Sequence, residues 1–236
     1  MTEALAQPWG ELALYHRYAE QLANGLTPYR DFFPEYPPLA LLFFRLPLYF
    51  STEFYMIAYY GMVALAVLIT ILIIKQFKGS PWAFVASVLP LGGLFWDRFD
   101  IFPAMFSLLA VYLALESRYR PTRHPVALLR LSGAVLALGF ATKIYPIIFL
   151  PLILIIIGWK PKKLLLYIWT FVFVNIIIFG SVIITDGKFD KFVEFQGERG
   201  IHLESLRATP LLIKHLKGEI ELETIYSHNT FELILK

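Results

Sequence analysis

Long apolar runs separated by short polar loops set the pattern of this chain. A membrane-crossing helix needs ~20 predominantly apolar residues, with a range of about 17–25. Runs at 54–74, 81–96, 100–116, 126–142, 144–158 and 164–185 meet or approach that length. They predict an all-α fold, a polytopic transmembrane helix bundle of about six helices over 54–185. Lys143, Pro146 and Pro151 interrupt the pair of short runs around 143. Helices broken at membrane depth need protein or a water-filled cavity to cover the freed backbone. The run Pro38 to Phe50 is too short to span and carries Arg45 in its middle. A charge at a helix centre costs about 2.5–3.5 kcal/mol on insertion scales. This segment is therefore expected to lie along the surface, with its arginine among the headgroups. Ahead of it, residues 10–23 read as a helix stopped by Asn24, Gly25 and Pro28. The domain reading is an external amphipathic loop with an interfacial helix over 1–53, a transmembrane domain over 54–185, and an external, incomplete segment over 186–236.

Composition agrees with a bilayer partner. The chain is 58% hydrophobic and 17% charged, against roughly 45–50% and about 25% in soluble domains. It has no cysteine, which excludes a disulfide framework and thiolate metal sites. The net charge of +3 is small, and its placement says more than its sum. Lys75, Lys78, Arg118, Arg120, Arg123, Lys160, Lys162 and Lys163 fill alternate loops; the other loops carry only Arg98 and Lys143, with Asp97 and Asp100 beside the arginine. The positive-inside rule puts the first set in the cytoplasm, and the N-terminal loop and the tail after Asp186 outside. There is no nucleic-acid signature, no secretory signal and no internal repeat. Nothing in residues 1–36 would carry them outward, and Phe231 to Leu235 ends without a stop signal. A fragment lacking a preceding membrane helix is the expectation.

Several polar residues sit where chemistry is plausible. Glu11, Tyr15, Tyr18 and Leu22 share one helical face. They read either as a general base beside a sugar-stacking wall or as an aromatic belt with an ordinary exposed glutamate. Tyr29, Arg30, Asp31, Glu35 and Tyr36 lie in a proline-stiffened loop. Preorganised groups of this kind suit a hydroxyl-rich ligand, unless the prolines serve only to direct the chain onto the membrane. Lys143 has no sequence-adjacent carboxylate; it is either a functional cation at membrane depth or a snorkelling one. No second histidine stands at zinc spacing from His202, so no metal and no cofactor is expected.

The order of these residues carries a resemblance. Glu11, Tyr15-x-x-Tyr18-Ala19, Leu22-x-x-Gly25-x-x-Pro28-Tyr29-Arg30-Asp31 and Glu35-Tyr36-Pro37-Pro38-Leu39 resemble the first external loop of C-type (GT-C) glycosyltransferases. The similar branch is glycosyltransferase family 87, which includes polyprenyl-phosphomannose-dependent mannosyltransferases. Thr142-Lys143-x-Tyr145-Pro146 is similar to the family's lysine–aromatic–proline element, and Gln196-x-x-Arg199-Gly200-x-His202-x-Glu204-Ser205 forms a third piece. The resemblance implies transfer of a hexose, with mannose expected, from a polyprenyl-phosphate sugar donor. The acceptor would be lipid- or glycan-linked, outside the cytoplasm, with inversion at the sugar. Glu11 falls where the family usually carries aspartate, so the base stays open between Glu11 and Asp31. Arg98 and Lys143 become candidate contacts to the donor phosphate, with Tyr145, Arg199 and His202 as further substrate contacts. Arg98 also reads as part of a solvated turn with a local ion pair. The competing class is a transporter or lipid flippase with a midplane site at Lys143; an inactive fragment of the transferase is a third reading.

Overall fold

The structure is a computed structural model that describes residues 10–50, 52–120, 124–185, 188, 192, 194, 200–203, 205–227 and 230–235. The chain divides into two compact units, Met1–Gly187 and Lys188–Lys236.

In the first unit, α1 (Gly10–Ala23) ends as its sequence suggests. Gly25 takes φ +81°. Its N–H reaches the Leu22 carbonyl at 3.2 Å, and the Leu26 N–H reaches that of Gln21 at 3.0 Å. This is a Schellman motif, in which glycine fits the left-handed position without steric cost. Next, α2 (Pro38–Arg45) starts on a proline and runs into a 3-10 turn, Leu46–Tyr49. The two together cover roughly 20 Å at ~1.5–2 Å per residue, short of a ~30 Å hydrocarbon core. One face buries Ala40, Leu41 and Phe44, while Leu42 and Leu46 stay exposed. The Arg45 guanidinium lies 5.5 Å from the Tyr49 ring centroid.

Four helices among the described residues are long and apolar enough to cross a membrane: α3 (Tyr55–Gln76), α6 (Ile101–Tyr119), α7 (Pro125–Thr142) and α9 (Pro161–Ile184). The other two expected spans are interrupted. One consists of α4 (Pro81–Val88), a 3-10 turn and α5 (Gly93–Asp97), broken where Gly92 takes φ +52°. The other consists of a 3-10 turn at Tyr145–Ile148 followed by α8 (Phe149–Ile157).

Side-chain contacts fix which ends of these helices lie together. Near the start of α3, the Tyr60 hydroxyl donates to Asp97 at 2.7 Å, so α4 and α5 bring the chain back to the end where α3 began. Lys143, after α7, pairs with Asp100, before α6. At the opposite end, Phe77 meets Tyr112 at 5.4 Å. There Arg118 Nη1 donates to the Ile157 carbonyl at 2.6 Å, placing a cation on the negative end of α8. Phe140 lies against both Phe171 and Phe179, and Gly133 against Tyr167 and Thr170, so α7 and α9 run parallel. Small buried residues let α6, α7 and α9 approach, among them Ser132, Gly133, Ala137 and Gly139 on α7. Ser132 Oγ donates across to the Ala110 carbonyl at 2.7 Å. One end of the bundle thus gathers residues 10–50, the 97–100 turn and the 143–148 turn. The other end gathers the basic loops that follow α3, α6 and α8.

The second unit adds what the apolar runs did not suggest. Its strands β1 (Ile201–His202), β2 (Leu222–Ser227) and β3 (Thr230–Leu235) form an antiparallel sheet in the order β1-β3-β2. A helix, Ala208–Leu216, precedes β2. The apolar run at Phe231–Leu235 is a strand paired on both sides.

Candidate active site

Glu11 opens the site. It stands in the first turn of α1, where the helix dipole favours a carboxylate. One turn on, Tyr15 is fully buried, and its hydroxyl donates to Glu11 Oε2 at 2.7 Å. The other oxygen, Oε1, faces Arg98 Nε at 3.3 Å. Glu11 is 38% exposed at its side chain and Arg98 36%, although the Arg98 Nε that faces the carboxylate is itself buried.

The Tyr15 hydroxyl is a hub. Besides Glu11 it meets the Tyr36 hydroxyl at 3.1 Å and accepts the Phe99 N–H at 3.3 Å. Its ring stacks on Phe44 of α2 with centroids 4.2 Å apart and planes 5° from parallel. Phe99 packs edge-on against Phe44 at 4.9 Å, and Tyr55 of α3 ties α2 down by donating to the Phe44 carbonyl at 2.9 Å. Burial raises the Tyr15 pKa, and the neighbouring Tyr36 and Glu11 reinforce the shift. The tyrosine therefore remains a neutral donor to the carboxylate.

A second ion pair stands two residues along the same turn. Lys143 Nζ donates to Asp100 Oδ1, supplying the distant carboxylate that sequence alone could not assign to this lysine. The Tyr145 hydroxyl reaches the Asp100 carbonyl at 3.4 Å. Lys143 Nζ also lies 6.0 Å from the Tyr36 ring centroid, within cation–π range. Tyr36 thus touches both halves, its hydroxyl on the Tyr15 side and its ring on the Lys143 side. Burial, then Glu11, pushes the Tyr36 pKa up.

The structure brings together Glu11, Tyr15, Tyr36, Arg98, Lys143 and Tyr145. Tyr15 and Tyr18, on the face that reads either as a sugar-stacking wall or as an aromatic belt, and Tyr29 of the loop are none of them exposed. All three are buried because the helical face that carries Tyr15 and Tyr18 packs on α2 and the loop. Tyr18 stacks on Phe32 at 5.9 Å, and its pKa is pushed up to about 12 by burial and then by Glu35. Tyr29 sits at φ +64°, a strained conformation for a residue with a Cβ, and donates to the Tyr36 carbonyl at 2.6 Å. That bond ties the two ends of the loop together. Arg30 and Asp31 are exposed and bound to each other: Asp31 accepts from Arg30 Nε at 3.0 Å and Nη2 at 2.9 Å, and from the Thr27 N–H at 2.7 Å. The guanidinium, then the Thr27 N–H, lower the Asp31 pKa to about 2. Arg199 and Glu204 lie outside the described residues, and His202 belongs to β1 of the second unit.

Asp97 and Asp100 were legible only as members of a charged turn; their partners Tyr60 and Lys143 are 37 and 43 residues away. A groove between α7 and α9, lined by His124, Arg130, Leu131 and Thr170 among others, lies at the opposite end of the bundle from these ion pairs. Chemically, the cluster offers a half-exposed carboxylate able to accept a proton and two cations able to face an anion. No group of acidic, histidine or cysteine side chains among the described residues forms a metal site.

No curated protein and no solved structure gives a match to this chain. The profile of glycosyltransferase family 87 does, over residues 33–211. That stretch takes in Tyr36, α2 to α9, the 97–100 turn and Lys143; Glu11 and Tyr15 precede it. Four long apolar helices, most of the chain under one family profile and a charged cluster at one end of the bundle make this a multi-pass membrane protein that belongs to glycosyltransferase family 87, a GT-C family.

Proposed function

We propose that the chain transfers a hexose, mannose by resemblance, from a polyprenyl-phosphate carrier to a lipid- or glycan-linked acceptor on the external face of the membrane. The orientation follows from charge. Lys75, Lys78, Arg118, Arg120, Lys160, Lys162 and Lys163 all belong to the end opposite the Glu11 cluster, and basic loops favour the cytoplasm. The acceptor hydroxyl attacks the anomeric carbon while its proton passes to Glu11. The bond from that carbon to the phosphate oxygen breaks, and its electron pair leaves with polyprenyl phosphate. Direct displacement inverts the anomeric centre. The phosphate gains negative charge as it departs, and Arg98 and Lys143 are the cations available to stabilise it.

The observation that carries this reading is the hold on Glu11. Its carboxylate is oriented by a buried tyrosine and remains accessible to solvent. Asp31 is the weaker candidate. Its oxygens already accept three hydrogen bonds, and a carboxyl lowered to about 2 is a poor base. The test is turnover of polyprenyl-phosphomannose by membranes carrying the protein, comparing Glu11→Gln with Asp31→Asn. Loss of the base should cost roughly 10²–10⁴-fold in turnover with donor binding retained. Near-normal turnover in Glu11→Gln with loss in Asp31→Asn would move the role to Asp31, and activity surviving both removes the mechanism.

A further inference from the structure

The stretch from Ser117 to Thr185 holds no aspartate or glutamate. Its cations at the end opposite Glu11 therefore have few internal partners. Arg118 donates to the Ile157 carbonyl, and Arg120 pairs with Glu116 at 3.0 Å. Arg130, Lys160, Lys162 and Lys163 have no ion pair among the described residues. Arg130 differs from the lysines by its depth. Because α7 begins at Pro125, Arg130 stands roughly 7 Å inside the helix at ~1.5 Å per residue. An ionisable group within a membrane helix marks a functional site by default.

Arg130 is exposed and lines the groove between α7 and α9. Beside it the wall is apolar, formed by Val126, Ala127, Leu131 and Ala134. The Thr170 hydroxyl, also on the wall, donates to the Leu166 carbonyl at 2.8 Å and adds no free donor. Both helices are long and apolar enough to cross a membrane, so lipid rather than water meets the groove. Its volume of about 640 Å³ is that of a small-molecule site. An apolar slot with a single unpaired cation near one end matches a ligand with a long chain and an anionic head.

We propose that this groove binds one anionic glycerophospholipid, with its phosphodiester at Arg130 and an acyl chain along Val126, Ala127, Leu131 and Ala134. A guanidinium suits phosphate because its planar fork can meet two oxygens at once. Basic pockets between membrane helices take such head groups on the cytoplasmic side, which is the side the proposed orientation gives this end. Gly133 lies against Tyr167, and Arg130 and Lys163 each stand about one turn before that contact, so Lys163 adds attraction at the same level. A free phosphate would leave the apolar wall uncovered. A second copy of the chain in a symmetric pair would set this carboxylate-free face against itself, cation to cation.

The test is lipid binding, independent of turnover and of orientation. The full chain, delipidated in detergent, is titrated with palmitoyl-oleoyl phosphatidylglycerol or with the phosphatidylcholine of the same chains, and native mass spectrometry counts the bound lipid. The first phosphatidylglycerol should bind tighter than phosphatidylcholine by about fivefold or more, which is ~1 kcal/mol for one basic side chain. Arg130→Gln should lose about that factor, and Arg130→Lys should keep part of it. Arg130 is exposed, so its replacement leaves the packing intact. Ala134→Phe, which fills the groove and spares the cation, should weaken phosphatidylglycerol binding. Arg120→Gln, at the same end but outside the groove, should keep the preference. Equal binding of the two lipids by the parent overturns the proposal, as does a full preference in Arg130→Gln or parent-like binding in Ala134→Phe. Displacement by glycerol phosphate would make this a site for a free anion, and displacement by farnesyl phosphate more readily than by phosphatidylglycerol would make it a site for the carrier. Either result also refutes it.

Discussion

Replacing Tyr15 with phenylalanine removes one oxygen and keeps the ring, so the stack on Phe44 survives. The hydroxyl that is lost donates to Glu11 at 2.7 Å, meets Tyr36 at 3.1 Å and accepts the Phe99 N–H at 3.3 Å. A hydrogen bond to a charged group contributes about 1.5–3 kcal/mol. Solvent reaching Glu11, 38% exposed, replaces part of that, so the low end of the range applies. The Phe99 N–H has no such recourse, since its surroundings are buried; orphaning it costs about 1–3 kcal/mol. The long 3.3 Å separation again argues for the low end. Together the change should destabilise the protein by about 2–4 kcal/mol. For a chain of this size that corresponds to roughly 4–16 °C in Tm. The assay is thermal unfolding in nanodiscs followed by tryptophan fluorescence, with Tyr49→Phe as reference because Tyr49 is 70% exposed. Turnover should fall as well, with KM changed less than kcat, since Glu11 keeps its charge but loses its fixed orientation. A loss below about 0.5 kcal/mol, the usual range for surface changes, would show that the hub contributes no more than an ordinary hydroxyl and would refute the reasoning.

Three further outcomes are expected. The Asp31 carboxyl is lowered from 3.8 to about 2, so its stabilisation is complete above the higher value and is lost as pH falls through the lower one; the Tm gap between the parent and Asp31→Asn should hold from neutral pH to about pH 4 and close toward pH 2, and a gap unchanged at the acid end would contradict it. A Cβ on Gly133 would lie 3.1 Å from the Tyr167 carbonyl oxygen, so Gly133→Leu should force α7 from α9 and cost about 1–3 kcal/mol or more; Gly61→Leu, where a Cβ meets nothing, should be neutral or stabilising, and equal effects at the two sites would sink the packing argument. Because the chain has no native cysteine, single cysteines at Lys78 and Asp97 report orientation on intact cells: an impermeant maleimide should label Asp97→Cys and spare Lys78→Cys, and the reverse inverts the proposed topology.

What was legible in the sequence was local. The apolar runs located the four long helices, and Asn24-Gly25 located the end of α1, because both depend on neighbouring residues. Pro38 marked where α2 begins, whereas Pro81, Pro125 and Pro161 also open helices without having been read as starts. The face of Glu11, Tyr15 and Tyr18 was also readable, but periodicity could not say what covers it. Spacing treats a tyrosine over lipid headgroups and a tyrosine under a second helix alike; the packing of α2 decides, and it buries Tyr15 and Tyr18. Pairings across the fold were invisible for the same reason. Nothing near Lys143 in sequence announces Asp100, and nothing near Glu11 announces Arg98. The sheet of the second unit was missed because its strands are short and its apolar residues were weighed only as spans.

The distances along the chain between partners carry a consequence for how the protein is made. Tyr15 waits for Phe99, 84 residues later, and Asp100 waits for Lys143, 43 residues later. At a synthesis rate of roughly 5–20 residues per second, the first of these gaps lasts about 4–17 seconds. During that interval Glu11 has already emerged, yet neither the turn that steadies its tyrosine nor the arginine that faces it exists. Lys143, by contrast, enters the bundle with its carboxylate already present. Assembly of the site is thus completed only once α7 has been made and Lys143 follows it, when the counter-charge of that lysine is already in place.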